Sequence, residues 1–210
     1  MKLQYASDLH LEFPENKEFL KRNPLQPGGD VLLLAGDIVP FAIMDKHADF
    51  FSYVSDSFEA TYWIPGNHEY YRSDISDRSG FLNEKIRENV FLVNNTTFQV
   101  ENVRLIFSSL WTKISPAKQF EIRQRLSDFH AIKNGSKGFA PEQYNLLHDQ
   151  CVSFLKDELS KEKSVKTIVI THHLPTLLNY PEKYKNDALN EAFAVEMFDL
   201  IEAGRSEYWI

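Results

Sequence analysis

Short apolar runs recur along the chain and alternate with segments in which apolar residues follow a helical spacing. Each run is rich in branched or aromatic side chains and is bounded by Gly, Pro, Asp or Asn, which is typical of strands. Two runs, DVLLLAG and KTIVI, are apolar throughout, which indicates strands covered on both faces. The predicted strands are KLQYAS, DVLLLAG, ATYWIP, NVFLVNN, VKTIVI and a strand pair in TTFQVENVRLIFSSLW that turns at Glu101 and Asn102.

Three segments between these runs place apolar residues at steps of three and four, the period of an amphipathic helix. Pro141 suits the first turn of the second helix, and Gly204 is expected to cap the C-terminal end of the third. Alternating strands and helices predict an α/β fold. The predicted helices are 41–58, 141–161 and 188–204.

Length and composition limit the kind of protein. A chain of 210 residues with 43% apolar residues and no recognisable linker suits one domain over 1–210. Asp and Glu outnumber Lys and Arg by 30 to 23, which disfavours a nucleic-acid or membrane-surface binder, since both need a basic face. The sequence has no signal-peptide core and no apolar run near the roughly 20 residues of a membrane helix. Because Cys151 is the only cysteine, we expect a cytoplasmic protein.

Polar residues of the kinds that bind divalent metals follow four of the predicted strands. In open α/β sheets, ligands bind outside the carboxyl ends of the strands, so these four exits are expected to meet in one crevice. Carboxylate, amide and imidazole groups together suit manganese, iron, zinc or related ions better than a thiolate site would. The residues are Asp8 and His10 after the first strand, Asp37 after the second, Asn67, His68 and Glu69 after the third, and His172 and His173 after VKTIVI.

Each of these short strings also has a purely structural interpretation. Asp8 and His10 form a common turn sequence, although in an extended segment both side chains would point the same way. Asp37 after a Gly is often only a helix cap, and Gly36 and Gly66 allow tight turns. Taken singly, most of the strings favour the structural interpretation, whereas their order, each after its own strand, favours a shared site.

The ordered set D-x-H, G-D, G-N-H-E and a later strand ending in H-H-x-P resembles the calcineurin-like metallophosphoesterase superfamily. The resemblance runs from Asp8 to His172 and covers almost the whole chain. It implies a four-layer αββα sandwich, in which two mixed β-sheets pack face to face with helices outside. The strand count alone does not establish this architecture.

The resemblance also implies roles for individual residues. Asp8 and His10 are expected to bind one of two divalent ions (Mn, Fe, Zn, Ni or Mg), and Asp37 is expected to bridge both ions. Asn67 and His172 would bind the second ion. His68 would assist the leaving group during in-line attack by a bridging hydroxide. Glu69 is expected to support His68, and His173, Glu12, Tyr70, Trp111 and Asp128 are weaker candidates for the pocket lining.

One further motif of the superfamily, a late G-H-x-H turn, does not occur in this sequence. The chain stops at SEYWI, a strand-like string of the kind that leads into that turn. The expectation is therefore a natural protein that continues past Ile210 and a domain that is incomplete at its C-terminus. If the chain does stop there, each ion lacks one histidine ligand, and activity of these 210 residues would be weak.

The expected substrate is a small phosphomonoester or phosphodiester. GDIVPF lacks the second Asp and the Arg of the G-D-x-V-D-R-G motif of protein serine/threonine phosphatases, which makes a protein phosphatase the weaker alternative. A nuclease is disfavoured by the acidic charge balance, and an inactive interaction scaffold with the same fold stays open. Among the remaining histidines, His47 and His148 are expected at the surface, and His130 in a loop.

Overall fold

Nine strands form two sheets in the computed structural model, which describes residues 1–161 and 165–210. In the first sheet the strand order is β1-β2-β3-β5-β4, and only β4 runs antiparallel to its neighbour. In the second sheet the order is β6-β7-β8-β9, and only β6 is antiparallel. The strands are β1 (Leu3–Ala6), β2 (Val31–Ala35), β3 (Ala60–Ile64), β4 (Leu82–Arg87), β5 (Val90–Asn94), β6 (Thr96–Val100), β7 (Val103–Ser108), β8 (Lys166–Thr171) and β9 (Tyr208–Trp209).

The alternation of side chains along each strand explains the layers. In β2, Leu32 and Leu34 belong to one apolar cluster, with helix residues such as Phe51. Leu33 belongs to a second cluster that also contains Ile170 of the other sheet. Because successive side chains point to opposite faces, a continuously apolar strand is covered on both sides. The four-layer αββα sandwich is confirmed.

Helices cover the outer face of each sheet. The helix α5 packs Tyr144, Cys151 and Leu155 against Ile106 and Val169 of the second sheet. Pro141 is the first residue of that helix, as expected. The helices are α1 (Pro14–Arg22), α2 (Ala48–Ser57), α3 (Gln119–Arg125), α4 (Asp128–Ala131), α5 (Pro141–Ser160) and α6 (Phe198–Gly204).

Two of the predicted helices differ from the structure. The segment 41–58 begins as a 3₁₀ helix over Phe41–His47 and becomes α-helical only from Ala48. The segment 188–204 is interrupted, because Leu174 donates its backbone N–H to Phe193 and accepts one from Val195. This tertiary pairing takes the backbone groups that a continuous helix would use within itself.

Gly204 is the last residue of α6, and the left-handed residue after it is Arg205, with φ of 46°. The prediction of Gly204 as the cap was therefore wrong. A Cβ on Gly204 would lie 3.1 Å from Leu159 Cδ1, so close packing against α5 explains the glycine.

Four of the helices and strands given above have no counterpart among the predictions, and two of them, α3 and α4, are short helices of seven and four residues. The helix α1 has no fully buried side chain, and β4 is an edge strand rich in charged residues, in which only Leu82 is buried. Both lack the apolar periodicity on which the predictions rest. Among the described residues, no helix combines the length and the apolar character that a membrane crossing requires.

Candidate metal centre

Four strand ends from two sheets meet at one edge of the sandwich. The strands β1, β2 and β3 are parallel neighbours, so their carboxyl ends lie side by side. The fourth end is that of β8 in the second sheet, and His172 reaches from it to the first sheet, where its Nδ1 lies 2.9 Å from the Ala35 carbonyl oxygen. The expected meeting of these exits is thus what the fold provides.

The loops after β1 and β2 have an unusual backbone. Asp8, His10 and Asp37 have φ of 54°, 45° and 55°, in the left-handed region that non-glycine residues seldom adopt. Backbone hydrogen bonds hold the two loops together, from Asp8 N to Gly36 O at 3.0 Å and from His10 N to Asp37 O at 2.9 Å. The expectation that Asp8 and His10 lie in an extended segment was wrong, and the strained turns aim both side chains at Asp37.

The first group of potential ligands contains Asp8, His10 and Asp37. His10 Nε2 lies 4.0 Å from Asp8 Oδ1 and 3.7 Å from Asp37 Oδ2. Each residue offers an atom within 4.8 Å of the others, a spacing at which one ion can be held. Two carboxylates and an imidazole are a suitable set for a borderline divalent metal.

The second group contains Asp37 again, with Asn67 and His172. His172 Nε2 lies 3.5 Å from Asp37 Oδ1 and 3.3 Å from Asn67 Oδ1. The two carboxylate oxygens of Asp37 therefore face two different histidines, His10 on one side and His172 on the other. Each oxygen of this carboxylate thus has one imidazole beside it.

Three observations show that the residues fit metal ions. The Nδ1–H of His172 donates to a backbone carbonyl, which leaves Nε2 as a free ligand atom. Within residues 1–161 and 165–210, no Lys or Arg forms an ion pair with Asp8 or with the buried Asp37. A Cβ on Gly66 would lie 2.3 Å from Asp37 Oδ1 and 2.7 Å from His172 Nε2, so only glycine leaves this space open.

His68 lies beside the two groups and is held on three sides. Its backbone N–H donates to Asp37 Oδ1 at 2.9 Å, and its Nδ1 lies 2.8 Å from Glu12 Oε1. The ring of Tyr71 stacks on the His68 ring, with 4.1 Å between centroids and 23° between planes. The remaining ring atom, Nε2, is the one left to meet a ligand.

Glu12 contacts His10 as well as His68. The same oxygen, Oε1, lies 3.2 Å from His10 Nδ1. Burial alone would raise the pKa of Glu12, but the two histidine N–H groups lower that pKa to about 2. The Glu12 hydrogen bond also raises the pKa of His10, against the opposing effect of burial. The sequence suggested Glu12 only as part of the pocket lining, whereas it touches both rings.

Glu69 supports the site through the backbone and not through the His68 ring. Its carboxylate accepts the backbone N–H groups of Asp37, Ile38 and Gly66 at 2.7 to 2.9 Å. It also accepts Trp63 Nε1–H at 3.0 Å. Complete burial, together with the Asp37 charge, raises the pKa of Glu69. This side chain ties the loops after β2 and β3 to each other.

Asp128 is the buried partner of a predicted ligand. It accepts Asn67 Nδ2–H at 2.8 Å and Tyr71 O–H at 2.8 Å, both on Oδ1. The first bond orients the Asn67 amide so that its oxygen faces His172. The second fixes the tyrosine that stacks on His68. Burial raises the pKa of Asp128, although both hydrogen bonds oppose that rise.

The other predicted pocket residues lie in the core. His173 Nδ1 lies 3.1 Å from the Ser109 carbonyl oxygen, and its ring packs on Trp111. Burial and the neighbouring His172 lower the pKa of His173 to about 3. Tyr70 and Trp111 are almost completely buried and pack against each other. These three residues support the site from within the protein and do not line an open pocket.

The expectation of a surface position for His47 and His148 was wrong. Both are buried, and burial lowers the pKa of each. His148 lies in α5, where its Nδ1 is 2.7 Å from the Trp111 carbonyl oxygen. His130 is exposed and lies in α4, not in a loop. A helical pattern shows which face is apolar, but it does not show whether a neighbouring element covers the rest of the helix.

Comparison with known proteins identifies the family. The family model described as calcineurin-like phosphoesterase matches residues 1–201. The chain therefore belongs to the calcineurin-like phosphoesterases.

One curated protein and one solved structure are similar to this chain. The chain is 32% identical to "Uncharacterized protein L509" of Acanthamoeba polyphaga mimivirus over 222 aligned positions, which cover 91% of this chain and 76% of the relative. The crystal structure of phosphopantetheinyl hydrolase (PptH) from Mycobacterium tuberculosis superposes with a TM-score of 0.69, covering 99% of this chain and 80% of that one. At 14% identity, this second likeness shows the shared fold.

Proposed function

We propose that the chain hydrolyses a small phosphomonoester or phosphodiester with the help of two divalent metal ions. The observation that carries the proposal is the position of Asp37, whose two carboxylate oxygens lie 3.7 Å from His10 Nε2 and 3.5 Å from His172 Nε2. We take residues 1–210 as one catalytic domain, because the site draws on loops of both sheets. The proposed metal ligands are Asp8, His10, Asp37, Asn67 and His172.

The ions supply the chemistry that amino acids lack, because paired divalent cations lower the pKa of a water molecule and neutralise charge on phosphoryl oxygens. Oxygen and imidazole ligands are compatible with Mn, Fe, Zn, Ni or Mg. The family membership supports metal-dependent phosphoester hydrolysis in general.

His68 is the proposed catalytic residue. Its backbone N–H is fixed on Asp37 and its Nδ1 on Glu12, so that Nε2 is directed toward the reacting group. When the His68 ring is doubly protonated, its second proton is at Nε2 and is transferred from there to the leaving-group oxygen as the P–O bond breaks. Asp37 thus orients both the proposed ions and the residue that assists the leaving group.

A cavity of about 480 Å³ lies along the segment that follows His172, and its lining contains none of the proposed metal ligands. Leu174, in its lining, is two residues after His172, so their Cα atoms are at most about 7 Å apart. The aromatic lining groups include Tyr184 and Phe193. We propose that this cavity receives the leaving group of the substrate. A cavity of this kind suits a small organic phosphoester better than a folded phosphoprotein.

The test is the variant His68→Ala in protein loaded with Mn²⁺ and assayed with bis(p-nitrophenyl) phosphate and p-nitrophenyl phosphate. The kcat should fall by about 10²–10⁴-fold, the usual contribution of a positioned general acid, while elemental analysis shows unchanged Mn²⁺ content. His130→Ala, at an exposed histidine outside the site, is the matched control. Unchanged turnover in His68→Ala would exclude the assigned role. A wild-type chain that binds Mn²⁺ but cleaves neither ester would contradict the proposed function.

A further inference from the structure

One carboxylate oxygen at the site, Glu12 Oε1, contacts two histidines, His10 and His68. We propose that Glu12 is a positioning residue that fixes the ring orientation and the tautomer of both His10 and His68. The proposal rests on the proposed function for the roles of the two histidines. The contacts on which it depends are present in the metal-free chain and are tested there without any substrate.

The distances identify hydrogen bonds and not mere proximity. Glu12 Oε1 lies 2.8 Å from His68 Nδ1 and 3.2 Å from His10 Nδ1, both within the range for N–H···O bonds. The two rings meet edge to face, with 4.4 Å between centroids. A carboxylate oxygen has lone pairs for two donors and no proton to give, so both Nδ1 atoms must donate to it.

The consequence for each histidine follows from imidazole chemistry. A neutral ring has one N–H and one bare nitrogen, and the hydrogen bond at one nitrogen decides which is which. With the proton held at Nδ1, His10 keeps a bare Nε2 facing Asp8 and Asp37, as a metal ligand requires. In His68, the Nδ1 bond directs Nε2 away from Glu12 and toward the space in front of the site.

The carboxylate of Glu12 has few other hydrogen-bond partners. Its side chain is 14% exposed, and Oε2 is buried without a hydrogen-bond partner among the residues that the structure describes. The loop itself is anchored by Asn16, whose Nδ2 donates to the Leu9 carbonyl oxygen at 3.1 Å. The carboxylate is therefore held in place, and within the described part of the chain the two histidine rings are its only side-chain hydrogen-bond partners.

The ligand atoms of His10, Glu12 and His68 also lie within 4.8 Å of one another, so an alternative is that they bind a separate ion. The distances disfavour this alternative. Ligands about 2.1 Å from a tetrahedral ion are about 3.4 Å apart, whereas Glu12 Oε1 and His68 Nδ1 are 2.8 Å apart. A direct hydrogen bond accounts for the spacing, and Nδ1 of both rings is thereby occupied.

The experiment is a long-range ¹H–¹⁵N correlation spectrum of the metal-free chain labelled with ¹⁵N-histidine, recorded at alkaline pH. The variants His10→Ala and His68→Ala assign the two signals. Both rings should show a protonated Nδ1 and a bare Nε2. A wild-type spectrum in which either ring carries its proton on Nε2 would overturn the proposal, and this result needs no variant of Glu12.

Variants of Glu12 provide the second readout. In Glu12→Ala, both signals should move to mixtures of tautomers, and Mn²⁺ affinity should fall by about 10–100-fold, the usual cost of losing a hydrogen-bond partner of a metal ligand. Glu12→Gln keeps an acceptor oxygen and should restore the tautomers in part. Glu15→Ala, an exposed glutamate in the first turn of α1, should change neither quantity.

Tautomers and Mn²⁺ affinity that are unchanged in a folded Glu12→Ala protein would also overturn the proposal. The two measurements separate this inference from the proposed function, because neither requires turnover. A chain with the expected tautomers and no phosphoesterase activity would retain Glu12 as the positioning residue and reject the function. An active protein in which either ring carries its proton on Nε2 would reject Glu12 as the positioning residue and retain the proposed function.

Discussion

The two sheets contribute to the site in different ways at their carboxyl ends. In the first sheet, three neighbouring strands supply four of the five proposed metal ligands, and left-handed turns at Asp8, His10 and Asp37 hold the side chains in place. In the second sheet, β8 supplies only His172. The chain then continues into a segment with exposed apolar side chains such as Leu174 and Phe193.

The two sheets therefore have different roles. The first sheet positions the polar groups of the site, and the second sheet leads into the segment beside them. The first sheet holds its polar groups with backbone hydrogen bonds and with Glu69, so small displacements are costly. The second sheet contributes one histidine, and the segment after that histidine lines an apolar cavity. Asp37 is the point where the two contributions meet, because it faces His172 as well as His10.

The largest effect is expected for Asp37→Asn, which keeps the size of the side chain and removes its charge. Mn²⁺ affinity should fall by more than about 100-fold, since the loss of a mere hydrogen-bond partner of a ligand already costs about 10–100-fold. Hydrolysis should be lost together with the bound Mn²⁺. Isothermal titration calorimetry measures the affinity, with the exposed Asp45→Asn as control. Retention of two tightly bound ions would contradict the proposed role of Asp37 as a ligand shared between them.

A smaller effect is expected for Gly66→Ala. The new Cβ would lie 2.3 Å from Asp37 Oδ1, so it must push apart the groups that the first sheet and β8 bring together. We expect a loss of about 1–3 kcal/mol in the free energy of unfolding, as for other overpacked positions, together with weaker Mn²⁺ binding. Gly28→Ala, where the nearest atom is 3.5 Å away, is the control in denaturant unfolding. Equal stability of both variants would contradict this tight packing.

Tyr184→Ala tests the cavity next to the second sheet. Loss of one aromatic contact costs about 0.5–1.5 kcal/mol, so KM for bis(p-nitrophenyl) phosphate should rise about 2–12-fold. The kcat should change little, because no group of the metal centre is altered. Phe120→Ala, an exposed aromatic residue on α3, is the control in steady-state assays. A fall in kcat with constant KM would contradict a role of this cavity in binding the leaving group.

The smallest effect is expected for His148→Gln, which tests a histidine that supports the second sheet from α5. Burial lowers the pKa of His148 below its ordinary 6.5 in the folded state. Between these two pKa values the unfolded chain binds a proton that the folded chain does not, so stability falls as the pH drops below about 6.5. The free energy of unfolding of the variant should decrease less on acidification from neutral pH than that of the wild type. The exposed His130→Gln should behave like the wild type, and a parallel decrease in all three proteins would exclude the contribution of His148.

The strand ends could be predicted because their signals are local. An apolar run followed by a polar ligand-type residue is visible at Asp8, Asp37, Asn67 and His172, and parallel strands bring such ends to one edge. No single string was enough, but the order of the strings, each after its own strand, indicated a shared site. The search for apolar patterns missed α1 and β4, because neither element buries an apolar face.

The partners of these residues could not be predicted. Glu12 meets His68 across 56 positions of sequence, and Asp128 meets Asn67 across 61. A polar side chain carries no periodic signal that identifies a distant partner, so Asp128 was no more than a weak candidate for the pocket lining. The burial of His148 likewise depends on how α5 packs and not on its neighbours in sequence.

The sequence by itself determined which residue types stand at the ends of which strands, because strand formation and chain order are local properties of the apolar pattern. Only the tertiary structure decided which atoms face one another. The hydrogen bonds of Glu12 and Glu69 join loops that follow strands of the first sheet, and the bond of Asp128 joins α4 to Asn67. This packing of segments distant in sequence selects the ring nitrogens left free at the site.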